Sequence, residues 1–152
     1  ETLLRFLSYD RDRETRQLAV VTASGDIAAF TGSECLQYAG AQTAHGVVCA
    51  GNTLAGPAVL QEMLREYESK EGRLWTRLLY ALTAGEAAGG DKRGKQAAAL
   101  RVHRTGGGYR GSGEVVVDLR VDDDAEPIRA LSRLLESLKQ IRDSEPYGGL
   151  ST

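Results

Sequence analysis

With 152 residues, 41% of them hydrophobic and 26% charged, the chain has the apolar content of one ordinary globular domain. A formal charge of -2 excludes a generic polyanion binder, and no apolar run approaches the ~20 residues that cross a bilayer. No basic and apolar leader opens the sequence, so the expected setting is cytoplasmic.

In chain order, Leu3, Leu4, Phe6 and Leu7 fit one apolar helix face, and Asp10-Arg11-Asp12-Arg13-Glu14 reads as a solvated connection. Residues 18–21 and 27–30 are β-rich and flank Ala23-Ser24-Gly25-Asp26, which predicts a hairpin. Residues 46–50 form an apolar strand stopped by Gly51-Asn52, and the stretch before it, with Tyr38, Gly40 and His45, is loop or a further short strand. Pro57 opens a helix with Val59, Leu60, Met63, Leu64 and Tyr67 on its core face. A second helix carries Leu74, Trp75, Leu78, Leu79 and Leu82 and ends at Ala87-Ala88-Gly89-Gly90, a glycine C-terminus.

Residues 96–103 and 115–122 predict an antiparallel pair joined by a glycine-rich loop. In the second strand Val115, Val117, Leu119 and Val121 should face one way, with Asp118, Arg120 and Asp122 opposite as an ion-paired ladder. Pro127 begins a last helix striped by Ile128, Leu131, Leu134, Leu135, Leu138 and Ile141, and residues 147–152 read as a loose tail. Helices bracketing antiparallel strands point to an α+β fold in layers, and no internal linker divides residues 1–152.

Polar chemistry concentrates in Gly89-Gly90-Asp91-Lys92-Arg93-Gly94-Lys95-Gln96. One reading is a substrate grip in which Arg93 binds a carboxylate, Asp91 binds an amine or orients a base, and Gln96 hydrogen-bonds an amide. The other is a glycine helix end followed by a polar turn, with Lys92 and Lys95 completing the last helix carbonyls. Asn52 at a strand end is either a side-chain donor to an oxyanion or a left-handed turn residue. Asp122-Asp123-Asp124 lacks calcium-loop spacing and reads as an acidic turn ahead of the last helix. Cys35 and Cys49 read as free thiols, His45 and His103 as structural, and Ser112 has no nucleophile elbow around it. No metal or cofactor is implied. The aromatic residues form no platform for nucleic acid.

Phe30-Thr31-Gly32 with Cys35, Ala39-Gly40, Ala50-Gly51-Asn52-Thr53-Leu54-Ala55-Gly56-Pro57, the Gly89-to-Ala98 segment and Val117-Asp118-Leu119-Arg120-Val121-Asp122 together resemble the family called domain of unknown function 1028. The resemblance implies the αββα layered sandwich of the N-terminal nucleophile hydrolases, in which a terminal Thr, Ser or Cys attacks an amide carbonyl. It further implies that the first strands, and with them any nucleophile, lie ahead of Glu1, leaving roughly the C-terminal two thirds of such a sandwich in this chain. On that basis the expected activity is amide-bond hydrolysis of a small molecule, with Asp91, Arg93, Gln96 and Asn52 binding substrate. A non-catalytic binding or assembly module on the same fold is the alternative. Uncovered strand edges predict a homo-oligomer or a second chain that completes the sandwich.

Overall fold

A computed structural model describes residues 1–108, 111 and 113–144. It is a mixed α+β chain with four helices and three two-stranded antiparallel sheets among the described residues. The chain forms two compact units, one made of Glu1–Glu71 and Tyr80–Gly94, the other of Gly72–Leu79 and the described residues from Lys95 onward. The glycine loop's Tyr109, Arg110 and Ser112, and the tail at 147–152, lie outside the described residues.

The first unit begins with α1 (Thr2–Tyr9), which buries Leu3 and Leu7. Leu4 and Phe6, read from the sequence as part of that face, are 71% and 68% exposed. At 100° per residue they fall on either side of the Leu3–Leu7 stripe. The charged run that follows holds a 3-10 turn, Arg13–Thr15. Next come the hairpin of β1 (Gln17–Val21) and β2 (Ile27–Thr31), and a second hairpin of β3 (Gly40–Ala44) and β4 (Val47–Gly51). β3 resolves the ambiguity around Gly40 in favour of a strand. Its small residues have weak strand propensity of their own, and pairing with the apolar β4 supplies what they lack.

Gln17 ties the two hairpins together. Its side-chain Nε2 donates toward Thr31 Oγ1 at 3.0 Å and toward the carbonyl oxygens of Gly40 and Gly51, each at 2.9 Å. Near the same end the chain passes over the 3-10 turn at Gly32. A Cβ on Gly32 would sit 2.1 Å from the Glu14 carbonyl oxygen, so only glycine fits. The Glu14 carboxylate accepts both the backbone N–H and the hydroxyl of Ser33 at 3.0 Å, and these bonds hold its pKa below the ordinary value. Part of the supposed solvated connection is therefore a fastening. α2 (Pro57–Ser69) starts at the proline and lies on β3 and β4, burying Val59, Leu60 and Tyr67. Cys35 and Cys49 are buried free thiols, and burial, with Glu68 nearby, pushes the Cys49 thiol up.

α3 (Leu74–Ala87) is divided between the units after Leu79. In the second unit β5 (Ala98–His103) pairs with β6 (Val115–Val121), and α4 (Pro127–Ser144) covers the pair. Its core is Leu100, Val102, Val116, Val117, Ala130, Leu131 and Leu135. The expected alternation fails at Val115 and Val116: the ladder is irregular at Val102/His103, with Val102 opposite Val117 and His103 opposite Val115. Val116 is the extra residue of a bulge, which lets it join Val117 inside while Val115 is 38% exposed. The ion-paired ladder runs partly across the strands, with Arg120 on Asp122 at 2.7 Å and Arg101 of β5 on Asp118 at 3.5 Å. No described helix is long and apolar enough to cross a membrane.

Candidate functional site

α3 ends in a glycine closure. Gly89 N–H bonds the Glu86 carbonyl and Gly90 N–H the Gly85 carbonyl, both at 3.0 Å, with φ of 115° and 54° at the two glycines. These are the two bonds of a Schellman motif, and they occupy helix carbonyls that the sequence reading assigned to Lys92 and Lys95. Lys92 Nζ donates to the Gln37 carbonyl at 2.9 Å, and Lys95 in the second unit pairs with Glu126.

Beyond the closure, the chain is stitched to residues 53–55. Ala55 N–H bonds Gly90 O at 2.9 Å, Lys92 N–H bonds Thr53 O at 2.9 Å, and Leu54 forms an isolated bridge with Asp91. On its other side the same segment bonds to residues 36–38: Thr53 N–H to Leu36 O at 2.8 Å and Leu54 N–H to Tyr38 O at 3.0 Å. Thus three irregular segments, distant in sequence, lie side by side and fix the turn that carries Asp91 and Arg93. Thr53 sits at φ 56°, a left-handed conformation that a β-branched residue adopts only under constraint. Such held strain clusters at functional sites. The sequence reading gave a left-handed turn to Asn52 as its alternative; the geometry assigns it to Thr53.

Asp91 and Arg93 grip each other. Asp91 Oδ1 accepts the backbone N–H of Arg93 at 2.8 Å and its Nε at 2.9 Å, while Oδ2 accepts Nη2 at 2.6 Å. The Arg93 side-chain bonds, then its backbone N–H, hold the Asp91 carboxyl down to about 2. Arg93 remains 70% exposed, and its own pKa is raised by the same bonds. Asn52 is exposed; its Oδ1 accepts the Thr53 hydroxyl at 3.1 Å, and its Nδ2 meets no acceptor among the described residues.

Gln96 belongs to the second unit. There its Nε2 donates to Asp123 Oδ1 at 3.2 Å, and its carbonyl accepts Asp124 N–H at 3.0 Å, so β5 starts two residues later than the sequence indicated. Asp124 Oδ1 in turn accepts Glu126 N–H at 2.7 Å, making the acidic run a turn before α4. Among the described residues no group of His, Cys, Asp and Glu is arranged to hold a metal ion. Sequence reasoning missed Gln17, whose partners are far away in the chain, and Thr53, whose conformation depends on two neighbouring segments.

Comparison with known proteins places these features in a family. A crystal structure of protein SPO2555 from Silicibacter pomeroyi, assigned to DUF1028, is similar with 30% sequence identity and a TM-score of 0.73. The match covers 95% of this chain and 59% of that one, so the chain spans a little over half of that protein's length. No curated protein matches the sequence. The family described as "Family of unknown function (DUF1028)" matches residues 1–131, and the chain belongs to it.

Proposed function

We propose that the chain is part of an amide-bond hydrolase of αββα N-terminal nucleophile type acting on a small molecule, with the nucleophile supplied from outside these 152 residues. The observation that carries this reading is the Asp91–Arg93 pair, held on a glycine turn that is stitched to the strained Thr53 and followed back to Asn52. An arginine fixed in this way can orient a substrate anion, and the free Asn52 amide can donate to the oxygen of a carbonyl under attack.

Asp91 favours a second reading, a non-catalytic binding or assembly module. A carboxyl held down to about 2 carries no proton near neutrality and is a poor general base there. Self-association or a second chain completing the sandwich accompanies either reading.

The test is to assay the intact protein against a panel of small acylated amides and to identify the first residue of its mature form. Cleavage together with a processed Thr, Ser or Cys at the terminus supports the hydrolase. Asn52→Ala should then lower kcat by about 100-fold. No cleavage of any amide, with a terminus of another kind, decides for the module.

A further inference from the structure

A guanidinium offers two edges to a planar anion, and this turn uses one of them. Nε and Nη2 of Arg93 face the two oxygens of Asp91 at 2.9 and 2.6 Å. The other edge, Nη1 with the second hydrogen of Nη2, meets no acceptor among the described residues, on a side chain that is 70% exposed. An ordinary surface arginine loses much rotamer freedom when it closes on an anion. Arg93 is already held, because Asp91 also takes its backbone N–H at 2.8 Å and the turn closes through Gly94 N–H to Asp91 O at 3.0 Å. Its neighbour Lys92 donates to the Gln37 carbonyl at 2.9 Å.

Asp91 is spoken for as well. It accepts three hydrogen bonds from Arg93, and a carboxylate has about four lone-pair positions. That leaves little for an ammonium group, contrary to the amine-binding role read from the sequence. An amino group arriving beside the bound carboxylate would also meet the Arg93 cation. An acylated nitrogen carries no charge and meets no such repulsion.

We infer, resting on the amide-hydrolase reading above, that the free edge of Arg93 receives the carboxylate of a ligand whose adjacent nitrogen is acylated: an N-acyl amino acid or a related carboxylate-bearing amide, in place of a free zwitterion. Arg93 makes the contact, and Asp91 is the positioning residue that holds the guanidinium.

The experiment titrates the intact protein and its variants with N-acetylglycine, glycine and N-acetylglycinamide by calorimetry, following the Arg93 Nε–Hε resonance by NMR where Arg93 is present, with amide cleavage assayed in the same samples. N-acetylglycine should bind at least tenfold more tightly than N-acetylglycinamide and severalfold more tightly than glycine. Arg93→Lys keeps the charge, loses the two-pronged edge and should weaken N-acetylglycine at least tenfold. Asp91→Asn should weaken it severalfold by releasing the guanidinium. Equal binding of N-acetylglycine and its amide, or binding unchanged in Arg93→Ala, overturns the inference. The two readings separate cleanly: carboxylate-selective binding without cleavage of any amide overturns the hydrolase and leaves the Arg93 receptor, whereas cleavage undiminished in Arg93→Ala leaves the hydrolase and overturns the receptor.

Discussion

The side-chain Nε2 of Gln17 lies 2.9 Å from the carbonyl oxygen of Gly51, across 34 positions of sequence, and this one nitrogen also reaches Gly40 O and Thr31 Oγ1. An amide nitrogen has two hydrogens for these three acceptors, so at least one bond is shared. Since Gly51 directly precedes Asn52 and Thr53, the same contact anchors the end of β4 from which the candidate site departs.

Replacing Gln17 by Leu keeps much of the bulk and leaves the carbonyls of Gly40 and Gly51 without this donor. A buried acceptor that loses its partner costs about 1–3 kcal/mol, and these two are half-buried, so urea unfolding should show a loss of about 1 kcal/mol, at the low end of that range. Gln17→Glu should be worse at neutral pH, where a carboxylate would face two carbonyl oxygens. The gap between Gln17→Glu and wild type should narrow on acidification, as the protonated acid regains a donor. Unfolding midpoints equal to wild type in both variants would contradict the clamp.

Gly32→Ala tests the close passage over the 3-10 turn. Its Cβ would meet backbone atoms of Glu14, nearest at 2.1 Å, and backbone cannot swing aside as a side chain can. A loss of about 3 kcal/mol, at the upper end of ordinary overpacking, is expected by thermal or urea unfolding. Gly56→Ala is the control: nothing lies within 4 Å and the backbone is extended, with φ 174°. Loss of the glycine before α2 should cost under about 1 kcal/mol. Similar losses for the two variants would show that the passage at Gly32 yields.

The Asp91 carboxyl should titrate near 2 when followed by carbon NMR, and Arg93→Ala should return it toward 3.8. The folded-state value is depressed, so the pair's contribution to stability is complete above 3.8 and is lost as pH falls from there through about 2. The pair is solvent-facing, so the shift in the unfolding midpoint should be small even where the titration shift is large. An Asp91 titration that is the same in wild type and Arg93→Ala would show that the two side chains do not meet in solution.

Much of the secondary structure was legible because its cause is local. Pro57 at the head of α2, the glycines closing α3 and the apolar stripe of α4 each act within one or two helical turns. β3 was left open since Gly40, Ala41, Gln42, Thr43 and Ala44 have no strand signal apart from their partner. The bulge at Val116 was hidden for the same reason: a run of three valines reads identically in a regular and an irregular ladder.

Within the candidate site, residue type alone drew attention to Asp91, Arg93 and Asn52, and their spacing placed the first two on a turn after a helix end. The chain by itself determined the helix ends, the hairpins and the concentration of polar groups, because those follow from backbone preference and short-range periodicity. Tertiary structure decided which partner each group satisfies: Lys92 turned to Gln37, Lys95 to Glu126, Asp91 to Arg93, and Gln17 to three acceptors in other strands. Hydrogen-bond partners are chosen by proximity in space, and proximity across dozens of residues exists only once the packed core has brought the segments together.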